Sequence, residues 1–115
     1  MGNNKWTICI KTLRLAERYS LRQAGEALGV SAPYLHDVES GARKPTKKFV
    51  DAMVKLYNLD EDGRRLIYDA AAEANDDIPY DVKDFLKSNP EAMKQVKSMM
   101  KEKKHVLQRS NVNNG

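Results

Sequence analysis

The sequence predicts an all-α protein, and three observations carry that prediction. Glycine and proline are few, six and four in 115 residues, so long segments run without a breaker. Apolar residues recur at the three- and four-residue spacing of a helix buried on one side. Serine, threonine, aspartate or asparagine heads most of these segments, where a short polar side chain can accept from free backbone N–H groups.

Each element follows in order. Cys9, Leu13 and Ala16 fall on one helical stripe, so a first helix is expected from about Thr7 to Tyr19, with Trp6 covering the core at its start. Ser20 caps a second helix carrying Leu21, Ala24, Gly25 and Leu28, and Gly29 supplies its left-handed stop. Ser31 caps a third, with Pro33 tolerated in the first turn and Leu35 and Val38 as its buried edge. Ser40-Gly41 ends it. Thr46, after Pro45, caps a fourth helix with Phe49, Met53, Leu56 and Tyr57 on one side. Asp60 opens a fifth that holds Leu66, Ile67, Ala70, Ala71 and Ala74. Asn75-Asp76-Asp77-Ile78-Pro79 is acidic and broken by proline, which makes it the boundary. Beyond it Asp81 and Asn89 read as further caps. Asn89-Pro90-Glu91 combines a cap, a first-turn proline and a first-turn acid. The expected organisation is a domain over residues 1–75, a helical extension over 76–110 and a disordered tail over 111–115.

Composition narrows the function classes. Hydrophobic residues make up 41% and charged residues 31%, a globular balance. No apolar run reaches the roughly 20 residues of a membrane span, and no leader pattern stands at the N-terminus, so a cytoplasmic protein without a membrane partner is expected. A single cysteine fits a reducing compartment and is expected as a small core residue. The net charge of +4 is unevenly spread: residues 1–58 carry +5, 59–80 carry −5 and 81–115 carry +4. A basic first module favours a polyanionic partner.

The segment Ser20–Pro45, SLRQAGEALGVSAPYLHDVESGARKP, carries the most information. Two short helices flank a tight turn at Gly29, and Gly25 puts the smallest side chain where they cross, which is the recipe of a helix-turn-helix. The stretches LGVS at 28–31, YL-x-x-VE-x-G at 34–41 and RKP at 43–45 resemble the lambda-repressor-like, XRE-type helix-turn-helix family. The resemblance extends over about residues 7–74 and implies a compact five-helix domain, a sequence-specific DNA-binding regulator and a homodimer. It places the Ser31–Glu39 helix in the major groove of duplex DNA. It pairs Arg14 with Glu39 as a structural clamp. It aligns Ala32, Pro33 and Asp37 with base-reading positions, and Gly41, Ala42, Arg43 and Lys44 with a phosphate-gripping loop.

This chain departs from that pattern where bases would be read. Leu21 stands where a glutamine is frequent, which leaves Arg22 and Gln23 as the polar residues nearby. Ala32 and Pro33 can touch a thymine methyl but donate no hydrogen bond, and Asp37 can accept from cytosine N4. Direct readout then falls to Tyr34, His36 and Gln23, or to DNA shape. Arg22, Ser31, Arg43, Lys44, Lys47 and Lys48 are the phosphate candidates. Lysines 47 and 48 sit at a helix N-terminus, where the dipole disfavours them, and a nearby phosphate would account for the placement.

Plainer readings stand beside these. Arg43 and Lys44 also fit a solvated turn, Tyr34 a core position, and His36 an ordinary groove-edge contact in place of a pH switch. His36, His105 and Cys9 have no metal-ligand spacing, so no metal and no cofactor are expected. No nucleophile set, paired carboxylates or phosphate-cradling glycine loop argues for an enzyme. The last helix carries Met93, Val96, Met99, Met100, Val106 and Leu107 among lysines, a pattern for homodimerisation or for docking a protein partner. The reading is a homodimeric repressor on an operator, with an antitoxin or other protein-interaction module as the alternative.

Overall fold

The structure, a computed structural model, describes residues 4–114, with side chains described for residues 4–103. Among these residues it is all-helical: α1 (Lys5–Ala16), α2 (Leu21–Leu28), α3 (Ala32–Ser40), α4 (Lys47–Leu56), α5 (Glu61–Asn75), α6 (Tyr80–Ser88) and α7 (Pro90–Asn114). Two compact units divide the chain, Met1–Asp81 and Val82–Gly115.

In the first unit the caps set where helices begin. Ser20, Ser31, Thr46 and Asp60 accept from the backbone N–H three residues on. Each satisfies one of the four donors a helix start leaves free. Helix α1 starts two residues earlier than the sequence implies, because Asn4 Oδ1 accepts from Thr7 N at 2.8 Å and Thr7 Oγ1 donates back to Asn4 O at 3.0 Å. That brings Trp6 inside the helix, 2% exposed. The helix also ends earlier, at Ala16. Arg18 turns left-handed (φ 58°) and Tyr19 N donates to Arg14 O, so Tyr19 leaves the helix.

The core joins Trp6 and Ile10 of α1, Ala24 and Leu28 of α2, Leu35 and Val38 of α3, Phe49, Val50 and Met53 of α4, and Ile67, Ala70 and Ala71 of α5. Burying a side chain such as Leu35 or Ile67 contributes about 1.5–3 kcal/mol. Helix α1 packs on α3 and α5, α2 on α3 and α4, and α4 on α5. Two alanines in succession, Ala70 and Ala71, keep α5 thin where it lies against its neighbours. Leu66 is a correction to the expected core: it is 59% exposed, one position off the Ile67–Ala70–Ala71 stripe. Cys9 is half-buried against the core, and that burial raises its thiol pKa.

The division between units falls at Asp81 rather than at Asn75–Pro79. Tyr80 stays with the first unit because its ring meets Tyr68 edge-on at 6.5 Å and its hydroxyl lies beside Asn75 Nδ2 and Pro45 O. Asp81 lies in the first turn of α6 and is not its cap. In the second unit Asn89 does cap the last helix, its Oδ1 accepting from Ala92 N at 3.1 Å. Helix α7 runs on to Asn114 through residues expected as tail, since no proline or glycine interrupts it after Pro90. Gly115 and the side chains of Val106 and Leu107 lie outside the described residues. No described helix is long and apolar enough to cross a membrane.

Candidate nucleic-acid interface

The turn between α2 and α3 is built on a close backbone approach. A Cβ on Gly25 would stand 2.8 Å from the Val30 carbonyl oxygen, nearer than side chains tolerate. Only glycine lets α3 begin so close to α2, and Val30 N then donates to Gly25 O at 2.8 Å. Gly29 takes φ 76° as the C-cap of α2. Ser31 follows, its hydroxyl accepting from Tyr34 N at 3.1 Å.

Helix α3 is fixed from both sides. Leu35 and Val38 are buried at 1% and 0% exposure. Behind them Glu39, itself buried, takes a two-pronged ion pair from α1: Arg14 Nε to Oε2 at 2.7 Å and Nη2 to Oε1 at 3.1 Å. The third guanidinium nitrogen, Nη1, donates to Tyr19 O at 2.9 Å. Each of the three nitrogens of this partly buried cation therefore has a partner, which is what makes the burial of Glu39 tolerable. Burial, with the Glu39 carboxylate adding to it, pushes the Tyr57 phenol up to about 12. The carboxylate therefore belongs to the scaffold beneath α3.

The opposite side of α3 faces solvent. Pro33, His36 and Ser40 are exposed, while Ala32, Tyr34 and Asp37 are half-exposed. His36 Nδ1 stands 3.6 Å from Asp37 Oδ1. The Tyr34 ring leans on Phe49, centroids 5.9 Å apart, and the Arg43 guanidinium lies over the ring at 5.1 Å. Tyr34 is thus seated on the core while remaining half-exposed.

The polar and basic candidates fall into distinct situations. Gln23 closes a capping box: its Oε1 accepts from Ser20 N at 2.9 Å while Ser20 Oγ accepts from Gln23 N at 3.0 Å. Its carbonyl is thus engaged and its amide N–H₂ remains to donate. Arg22 stands 3.6 Å from Glu26 in a highly exposed i,i+4 pair. Lys47 donates to Asp51 Oδ2 at 2.8 Å, and the other oxygen of that carboxylate accepts from Tyr68 OH at 2.6 Å. This local pair gives Lys47 an acidic partner in the first turn of α4. The Lys47–Asp51 spacing was readable in the sequence; the Tyr68 hydroxyl that completes the cluster comes from α5 and was not. Lys44 and Lys48 are exposed and have no acidic partner among the described residues. No group of His, Cys, Asp and Glu among the described residues could hold a metal ion.

The arrangement can do one kind of chemistry well. It offers a rigidly held helix with an open side, two free N-terminal hydroxyl-capped helix starts nearby, and cations on the loop and helix that follow. In the second unit Met93, Val96, Met99 and Met100 are exposed at 41, 38, 66 and 60%, with Val82 and Phe85 of the same unit also open to solvent.

Comparison with known proteins agrees with this geometry. No curated protein and no solved structure matches the chain. A family model described as a helix-turn-helix domain matches residues 8–67, a little over half of the sequence, from α1 into α5. The turn at Gly25–Val30, the capped α3 and the extent of the match converge, and the chain belongs to the helix-turn-helix domain family, in line with its resemblance to lambda-repressor-like, XRE-type members.

Proposed function

We propose that this protein is a DNA-binding transcriptional regulator, with a five-helix module that inserts α3 into the major groove. The observation that carries the reading is α3 itself. It is locked beneath by Leu35, Val38 and the Arg14–Glu39 pair, and open above, with the unpaired cations Lys44 and Lys48 just beyond it. Arg22, Ser31, Arg43, Lys44, Lys47 and Lys48 hold phosphates, which positions the helix without reading sequence. Gln23, Ala32, Pro33, Tyr34, His36 and Asp37 are the residues near base edges. Ala32 and Pro33 contribute only apolar contact, so shape contributes strongly to target choice. The protein acts by occupancy, as a repressor in the cytoplasm, and it is a binding protein without a cofactor.

A homodimer joined through the second unit presents two α3 helices to successive grooves about 34 Å apart. The exposed Met93, Val96, Met99 and Met100 support that assembly, since an apolar stripe on a helix gains stability by being covered. The same stripe supports a second reading, in which the helix docks a different protein, as an antitoxin does.

Selection from a random duplex pool, then anisotropy titration of winners and a scrambled duplex at two salt concentrations, tests the reading. An enriched inverted repeat with half-sites one turn apart is the expected result. Arg43→Ala with Lys44→Ala is expected to weaken all duplexes alike, because phosphates are common to every sequence. Absence of duplex binding at low salt overturns the DNA reading and leaves the protein-docking one.

A further inference from the structure

We infer that Tyr34 is a positioning residue, and that it holds the Arg43 guanidinium alongside α3 as a preformed phosphate contact. This rests on the DNA-binding reading above. Arg43 is tied to α3 at two points. Its backbone N–H donates to Asp37 O at 3.1 Å. Its guanidinium lies over the Tyr34 ring at 5.1 Å, one helical turn nearer the start of α3. The chain can reverse in this way because Gly41 takes φ 85° directly after the helix, a left-handed conformation that glycine adopts without strain. The ring is itself immobilised, since it leans on the buried Phe49 at 5.9 Å, and Phe49 is backed edge-on by Trp6 at 6.3 Å.

A charged side chain on an exposed loop would ordinarily sample many rotamers, and binding would have to order them. Stacking on a fixed ring removes much of that cost beforehand. A flat guanidinium suits the role, because it can rest one face on an aromatic ring and still offer its edge N–H groups to a phosphate. The hydroxyl of Tyr34 has no partner among the described residues, so the ring is what the contact uses.

The test compares Tyr34→Phe, Tyr34→Leu, Arg43→Lys, Arg43→Ala and the Tyr34→Leu/Arg43→Ala double variant in the full chain. Affinity for a selected and a scrambled duplex is measured across a salt series. Tyr34→Phe keeps the ring under the guanidinium and is expected to keep the wild-type salt slope. Tyr34→Leu is expected to weaken both duplexes by about two- to fivefold, the range of an exposed cation–π contact. Arg43→Ala lowers the salt slope by about 0.9, one phosphate. The double variant is expected to be no weaker than Arg43→Ala, because the two residues act as one.

Arg43→Lys keeps the charge at an exposed position and leaves the Tyr34–Phe49 contact intact, so it bears on the proposal even if Tyr34→Leu fails to fold. It is expected to bind more weakly than wild type. Wild-type affinity in Arg43→Lys, or additive losses in the double variant, would overturn the inference. Those results leave the DNA reading standing; a wild-type protein that binds no duplex at low salt removes both. A nuclear magnetic resonance readout separates the contact from its use. The Arg43 side-chain protons are expected upfield in wild type and Tyr34→Phe and at ordinary shifts in Tyr34→Leu, and no upfield shift in wild type overturns the proposal.

Discussion

The two units solve the problem of apolar surface in opposite ways. Every buried apolar side chain among the described residues lies in the first unit, within Trp6–Ala72. In the second, Val82, Phe85, Met93, Val96, Met99 and Met100 are all exposed. Both are helical, both start helices on good caps, and both carry apolar residues at helical spacing. Patterning alone therefore does not produce a core. The first unit has five helices whose small residues, Gly25 and Ala70–Ala71 among them, let the axes approach, whereas the second has two helices joined through a single residue, Asn89. Its described apolar stripe stays open to solvent.

The sharpest way to break this contrast is to attack the scaffold beneath α3. Glu39→Ala leaves the Arg14 guanidinium buried without its carboxylate, and we expect a loss of about 3–5 kcal/mol in unfolding free energy by denaturant titration. A loss below about 1 kcal/mol would mean the pair is as slight as a surface one. Next in size is Gly25→Ala, whose Cβ collides with backbone and not with a movable side chain. Overpacking of this kind costs about 1–3 kcal/mol, and the cost is read in the same titration.

Alkaline pH probes the same unit more gently. The Tyr57 pKa is raised from 10.0 to about 12 by burial and by Glu39. A raised pKa means the folded state favours the neutral phenol, so its contribution is complete below pH 10 and disappears as pH rises towards 12. Tyr57→Phe is therefore expected to flatten the fall in melting temperature across that window. An unchanged slope would show that Tyr57 does not carry the fall.

The smallest effect on stability is expected in the second unit. Met99→Ser with Met100→Ser removes no buried contact, so unfolding of the first unit is expected to change by less than about 0.5 kcal/mol. Mass measured by light scattering supplies the other half of the test. A shift from dimer to monomer shows the stripe holding two copies together, and a monomer in both forms directs attention to a different protein.

Much of the first unit was legible in the sequence because its signals are local. Ser20, Ser31, Thr46 and Asp60 announce their helices within three residues, and Gly29 announces the turn. The helix-turn-helix itself was legible because Gly25 and Gly29 leave few other solutions. What escaped was set by contacts distant in sequence or by weaker local cues. Asn4 extended α1 through a cap ahead of an apolar residue the sequence assigns to the start of the core. Leu66 sits one residue off a stripe whose width depends on where α1 and α4 lie. Tyr80 was drawn into the first unit by Tyr68 and by Pro45, thirty-five positions earlier. On the candidate interface, the residue types were visible but their occupations were not. Nothing in the sequence said that Gln23 would spend its carbonyl on a cap, or that Tyr34 would meet both Phe49 and Arg43.

Helix α5 has a consequence for how this molecule arrives at a partner. Residues 59–80 carry −5, while residues 1–58, including α3 and the cations after it, carry +5. Helix α5 packs on α1 and α4, and α3 on α1 and α2, so the charge is unevenly spread over the first unit. Such a body has an electric dipole. In the field of a polyanion it experiences a torque that swings its positive side forward before any atom touches. The effect belongs to the encounter rather than to the complex, so neutralising Asp69 and Glu73 is expected to slow association while leaving dissociation as it was.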